Sequence, residues 1–289
     1  MLFLGLAVAC SIGLAGLFNL AERRQLDRTA LLTVNYAAAV GLAVGLQGAQ
    51  PMSGITAPLV ALGVAQGILF IAGFWVFLLA IRQAGMGLAA GVMRLSVVIP
   101  VLASWAIWAE RPSALQGLGL ALGGLAFFLV ARPATPAESE SGEPTEALRT
   151  VVVLGGLFLA GGAVDLLNKT FSIRFSDTVP KPTFLLFVFG VALVVGIGML
   201  LAQGLRTGRW PRGAVFGWGA LIGVVNYASA DFFLRAVDAL PAPFVFPANS
   251  VAVVLGATLV GWVVWGERIS RTNAIGLAMA VVALVLLAG

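Results

Sequence analysis

The chain of 289 residues is almost one continuous series of apolar segments, each about long enough to cross a lipid bilayer. One crossing needs roughly 20 consecutive apolar residues in a helix. Short polar or basic stretches separate ten such segments, which are numbered here as spans 1 to 10: 2–20, 30–48, 57–80, 87–108, 114–131, 151–168, 183–203, 214–235, 243–265 and 272–288. The pattern predicts an all-α integral membrane protein with ten transmembrane helices.

Composition excludes several functional classes. The chain is 60% hydrophobic and 10% charged, so ten helices leave almost no room for a soluble domain. It contains no histidine and one cysteine, which excludes an internal disulfide and the usual histidine-bearing zinc sites. Nothing resembles an active site or an ATP-binding loop, so we expect no enzyme activity, no cofactor and no metal. The net charge of +5 is spread over the loops, which fits contact with lipid headgroups better than nucleic-acid binding.

The second half of the chain repeats the first. Residues 104–120 read SWAIWAERPSALQGLGL and residues 261–277 read GWVVWGERISRTNAIGL, with seven identities at a separation of 157 positions. We therefore predict two related five-helix repeats, 1–131 and 151–289, joined by a flexible linker at 132–150 that is rich in Pro, Ser and Glu. Five is an odd number, so the second repeat must be inverted relative to the first. Inverted repeats place a shared site near the bilayer midplane and permit alternating access.

Two sequence markers carry a resemblance to a known family. A Trp-x-Glu triplet closes spans 4 and 9 at Glu110 and Glu267, and a glycine-bearing helix follows each. The segment Phe246-Pro247-Ala248-Asn249-Ser250 lies early in span 9. In these features the chain resembles the drug/metabolite transporter (DMT) superfamily, in its ten-helix EamA-like branch. The resemblance implies secondary transport of a small organic metabolite, amino-acid-like, sugar-like or drug-like, across the cytoplasmic (inner) membrane of a bacterium. It does not name the substrate.

Orientation in the membrane is left open by two arguments that disagree. The family resemblance implies that both termini are cytoplasmic. Five Lys and Arg residues then fall in the cytoplasmic loops and eleven in the other connections and flanks. The positive-inside rule favours the reverse orientation.

Three ionisable residues fall within the spans, where a charge is costly and invites a functional interpretation. They are Arg94, Asp165 and Asp231. The two aspartates also have a structural explanation, because Lys169 and Arg235 each follow four residues later and could form a local ion pair. Arg94 has no acidic residue three or four positions away, so its partner must come from another helix or from a ligand.

Uncharged polar and aromatic residues complete the candidate pathway. By span depth, Asn35, Tyr36 and Arg94 lie toward one face. Gln66, Asp165, Asn168, Asp231 and Asn249 lie toward the other, with Asn226 and Tyr227 near the centre and Trp75 as a possible wall. Amides and phenols also join helices in membranes without any transport role. We interpret Glu110 and Glu267 as helix caps, since each precedes the start of a helix.

The leading hypothesis from sequence is a secondary transporter. Its partners would be a small-molecule substrate, membrane lipids and a coupling proton or ion that acts through Asp165 or Asp231. A membrane-embedded lipid-modifying enzyme and a membrane subunit without its own pathway remain the alternatives.

Overall fold

The structure is a computed structural model that describes residues 1–48, 54–131, 144–208, 210–211, 213–266 and 270–288. Over these ranges it contains ten helices and no strand: α1 Leu2–Arg23, α2 Arg28–Gln47, α3 Ala57–Leu95, α4 Val98–Trp108, α5 Ala114–Ala131, α6 Pro144–Phe175, α7 Lys181–Thr207, α8 Ala214–Ala239, α9 Ala242–Trp265 and α10 Arg271–Ala288. Nine largely helical stretches of the described residues are long and apolar enough to cross a membrane, and the apolar helix Ala114–Leu129 is shorter. These features are compatible with the predicted all-α, multi-pass membrane protein.

Spans 3 and 4 are divided differently from the prediction. We expected a connection between residues 80 and 87, but α3 continues for 39 residues to Leu95. The interruption falls at Ser96–Val97, inside predicted span 4. No proline occurs between Pro58 and Pro100, and Arg82 and Gln83 are both good helix formers, so this polar pair does not by itself end a helix. At about 1.5 Å per residue, α3 would be about 58 Å long if straight, about twice the hydrocarbon thickness.

The predicted linker is partly helical. Residues 132–143 lie outside the described part of the chain, but α6 begins at Pro144, inside the segment predicted as a flexible linker. Proline is favoured in the first turn of a helix because its missing N–H group would have no helical partner there. The helix then continues to Phe175, beyond the predicted end at 168.

The helices form two compact units, and each unit draws on both predicted repeats. Unit 1 contains residues 1–71 and 167–239, and unit 2 contains residues 72–166 and 240–289. In unit 1, α2 packs against α7 and α8, and α1 packs against α8. In unit 2, α5 packs against α10, and α9 contacts α4, α5 and α10.

Large apolar side chains cover much of the outer helix surface. Examples with more than two thirds of their area exposed are Val194, Leu205, Val263 and Val285. A soluble protein rarely exposes so many apolar side chains, whereas lipid-facing helices do so as a rule.

In unit 2, the repeated sequence gives the same local structure twice. The first turn of α5 has a capping box, in which Ser113 Oγ accepts from Gln116 N–H and Gln116 Oε1 accepts from Ser113 N–H. At the start of α10, Ser270 and Asn273 exchange the same two hydrogen bonds.

The helices before these boxes also end alike. Ala109 closes α4 and Gly266 closes α9, both in the left-handed conformation, with φ of 58° and 66°. The cap N–H groups donate to Ser104 and Gly261, which are equivalent positions of the repeat.

Candidate functional site

Two amides join α2 to α8 in the middle of unit 1. Asn226 Nδ2 donates to Asn35 Oδ1 at 3.1 Å. Asn35 is 1% exposed, and the helices can approach here because α8 carries Gly223. A Cβ atom at Gly223 would lie 2.4 Å from the backbone oxygen of Asn35. The sequence therefore builds an amide pair, with Asn35 buried and Asn226 half-buried, where two helix backbones nearly touch.

A second amide pair joins α3 to α6 in the same unit. Gln66 Nε2 donates to Asn168 Oδ1 at 2.7 Å, and both side chains are buried. Both residues were predicted to lie toward the same face, and the structure brings them into contact. Asn168 was considered among the polar residues but was not among the final candidates from sequence.

Aromatic rings connect the two amide pairs. Phe189 of α7 lies between Tyr36 and Tyr227, with ring centroids 6.3 and 6.2 Å away. Phe70, one helical turn after Gln66, meets the same ring at 6.0 Å. We call the residues Asn35, Tyr36, Gln66, Asn168, Asn226 and Tyr227 the amide–tyrosine layer. Phe189 was missed from sequence, because a phenylalanine in an apolar helix carries no signal of its neighbours.

Three polar atoms of the amide–tyrosine layer are buried without a hydrogen-bond partner. They are Asn35 Nδ2, Gln66 Oε1 and the Tyr227 hydroxyl. Buried polar groups in proteins are nearly always paired, because leaving one unpaired costs about 1–3 kcal/mol. The layer therefore holds one free amide donor, one free carbonyl acceptor and one hydroxyl that can act as either.

Asp231 forms the local ion pair that the sequence allowed. Arg235 Nε and Nη2 donate to the two carboxylate oxygens of Asp231 at 2.6 and 3.3 Å. The Arg235 guanidinium also lies over the ring of Phe3, 5.6 Å from its centroid. The structural interpretation of Asp231 is confirmed, and the pair lies one turn beyond Tyr227 on α8.

In unit 2, Arg94 and Asp165 are half-buried and their charges act on each other. An acidic residue of another helix therefore lies near enough to Arg94 for the two charges to interact. The depth estimate from sequence placed the two residues toward opposite faces and did not pair them.

The Arg94–Asp165 pair lies beside an interrupted helix. Ser96 and Val97 separate α3 from α4 inside the apolar stretch 89–108, and Ser96 Oγ donates to Met93 O at 2.6 Å. Helix α6 approaches this break closely, since a Cβ atom at Gly161 would lie 2.6 Å from Ser96 Oγ. The carbonyl end of α3 also favours a cation, which Arg94 supplies. Ends of interrupted membrane helices are common locations for ligand and ion sites.

The remaining candidates in unit 2 have separate surroundings. Trp75 is 45% exposed and meets Phe74 edge to face. Asn249 is half-buried on α9, and its Oδ1 atom has no hydrogen-bond partner. Glu110 is a helix cap as predicted, but of a different helix: its Oε2 atom accepts from Ala242 N–H at the start of α9, 2.8 Å away. Glu267 lies outside the described residues.

No group of metal-ligating side chains is found among the described residues. An apolar crevice in unit 2 is lined by residues of α3, α5 and α9 that include Leu95, Phe127 and Pro247.

Comparisons with known proteins show a shared fold. No protein-family model matches the chain. A protein of Haemophilus influenzae that is described as uncharacterized is 23% identical over 288 residues, which cover 96% of this chain and 94% of that protein. A crystal structure described only as that of a protein matches with a TM-score of 0.74 at 14% identity, over 99% of this chain and 98% of the other. These similarities extend over essentially the whole chain, so the entire helical arrangement has a counterpart among solved structures.

Proposed function

We propose that the chain is a secondary transporter of the drug/metabolite type, which moves a small organic metabolite across the cytoplasmic membrane of a bacterium by alternating access. The observation that carries this proposal is the pair Arg94 and Asp165, two opposite charges half-buried at a helix break inside an apolar stretch. Intramembrane charges are costly and are typically kept where a ligand, ion or proton passes.

Three pairs of equivalent helices support the inverted repeat on which alternating access depends. Gln116 near the start of α5 donates to Leu287 O at the end of α10, and Asn273 near the start of α10 donates to Leu129 O at the end of α5. Each helix therefore begins beside the end of the other. Two copies of one element that run in opposite directions are what an inverted repeat requires.

The second pair, α2 and α7, has the same arrangement in unit 1. Thr183 at the start of α7 donates to Gln47 Oε1 at the end of α2 at 2.5 Å. Gln203 near the end of α7 donates to Asp27, which caps the start of α2. The third pair is α4 and α9. Glu110, just after the end of α4, accepts a hydrogen bond from the first N–H group of α9.

Transport is tested with purified protein in proteoliposomes. The labelled probes are alanine, glucose, uridine and ethidium, and the comparison is with liposomes that lack protein. We expect at least one probe to enter faster than in empty liposomes, and Arg94→Ala to reduce that rate at least tenfold. The matched control is Arg206→Ala, which removes an exposed arginine at the end of α7.

Two outcomes contradict the proposal. Entry of every probe at the rate of empty liposomes would favour a lipid-modifying enzyme or a subunit without its own pathway. Normal flux in a folded Arg94→Ala variant would remove the Arg94–Asp165 pair from the pathway.

A further inference from the structure

The amide–tyrosine layer has unused hydrogen-bonding capacity at the centre of unit 1. Asn35 and Gln66 are each 1% exposed and Tyr227 is 3% exposed, yet each has one polar atom without a partner. In a membrane protein that packs for stability alone, such atoms would be paired or replaced by apolar groups.

The three unpaired atoms belong to one connected group of side chains. Asn35 is bonded to Asn226, which precedes Tyr227 on α8. The ring of Tyr227 reaches Phe189, and Phe189 meets Phe70, one turn from Gln66. The unpaired donor and acceptor atoms of this group come from α2, α3 and α8.

The charges near the layer are already engaged. Asp231, one turn beyond Tyr227, accepts both hydrogen bonds of Arg235, so the pair adds no net charge. Lys169, next to Asn168 on α6, is buried and has an interaction of its own. An ionised ligand would lose its hydration here without gaining a free opposite charge, whereas hydroxyl and amide groups match the free donor and acceptor.

We infer that the amide–tyrosine layer is a substrate-binding site for an uncharged solute that carries hydroxyl or amide groups. This assignment rests on the proposed transport function and names the class of substrate. In this assignment the amide–tyrosine layer binds the uncharged solute, whereas Arg94 and Asp165 are the charged pair of unit 2.

Binding is measured by thermal unfolding of the purified full-length protein. The uncharged probes are glucose, mannitol and uridine. The charged probes are succinate, choline and alanine, which is a zwitterion with two ionised groups. A ligand that binds the folded state raises the unfolding midpoint with concentration. We expect this shift with at least one uncharged probe and a smaller one, or none, with the charged probes. Stabilisation by charged probes alone, or by none of the three uncharged probes at 100-fold molar excess and above, overturns the assignment.

Tyr227→Phe separates a binding role from a packing role. The Tyr227 hydroxyl has no partner, so its removal should leave the unfolding midpoint of the free protein unchanged or higher. Loss of one hydrogen bond to the ligand should weaken binding of the stabilising probe by about 2- to 10-fold. The control is Thr33→Val, which removes a buried hydroxyl that donates only to Thr29 O within α2. Equal affinity in Tyr227→Phe and the parent protein contradicts the assignment.

Flux measurements distinguish this inference from the proposed function. If an uncharged probe binds but is not transported, the result contradicts the transport proposal and retains the amide–tyrosine layer as a binding site. Transport of a charged probe at a rate unaffected by Tyr227→Phe would retain the transporter and refute the site.

Discussion

The amide–tyrosine layer of unit 1 and the helix break of unit 2 differ in the polar groups that they hold. The amide–tyrosine layer of unit 1 is uncharged, is buried except for the half-buried Asn226, and keeps three unpaired atoms. Unit 2 instead holds two opposite charges, half-buried at an interrupted helix. Under the two proposals above, unit 1 recognises a neutral solute and unit 2 supplies the charges for coupling to a proton or ion.

The largest effect should come from separating the charges of unit 2. Arg94→Gln or Asp165→Asn alone leaves its partner uncompensated and should lower the free energy of unfolding by up to about 3 kcal/mol. The double variant Arg94→Gln/Asp165→Asn removes both charges and should recover much of that loss. The measurement is a double-mutant cycle by denaturant titration in detergent. Additive losses would mean that the two residues are not coupled.

A second prediction concerns the close helix contact of unit 1. Gly223→Ala places a methyl group against the backbone of Asn35 and should destabilise the fold by about 1–3 kcal/mol. Gly217→Ala on the same helix has open space and should be neutral or stabilising by about 0.5–1 kcal/mol. Thermal unfolding of both variants gives the sign of each change. The same sign at both positions would contradict the tight α2–α8 contact.

The smallest effect concerns the repeated capping boxes of unit 2. Ser113→Ala and Ser270→Ala each remove an N-cap hydroxyl and should each cost about 1 kcal/mol. The informative quantity is the difference between the two values, measured by thermal unfolding. Losses that differ by more than about 1 kcal/mol would show that the equivalent caps do not contribute alike.

The start and end of a helix are predicted well from sequence where short local motifs mark them. The predicted span 114–131 has the bounds of α5, but the cap of α5 is Ser113 and not the predicted Glu110. The end of α3 was predicted poorly, because the break at Ser96–Val97 contains neither proline nor glycine.

Contacts between distant parts of the chain were the least predictable. Hydrophobic patterns give the depth of a residue along its helix but not which helix lies beside it. The neighbours Gln66 and Asn168 were grouped by depth, whereas Arg94 and Asp165 were assigned to opposite faces. Which polar atoms remain unpaired, such as the Tyr227 hydroxyl, depends on side-chain geometry that the pattern does not encode.

The inverted repeat underlies both proposals, and labelling from one side of the membrane tests it without a known substrate. Cys10→Ala gives a cysteine-free chain, into which Arg111→Cys or Arg271→Cys places one exposed thiol near the start of α5 or α10. Sealed vesicles of one orientation are then treated with a membrane-impermeant maleimide. We expect one of the two cysteines to react and the other to react only after the vesicles are opened. Reaction of both from the same side would contradict the inverted arrangement and the alternating access built on it.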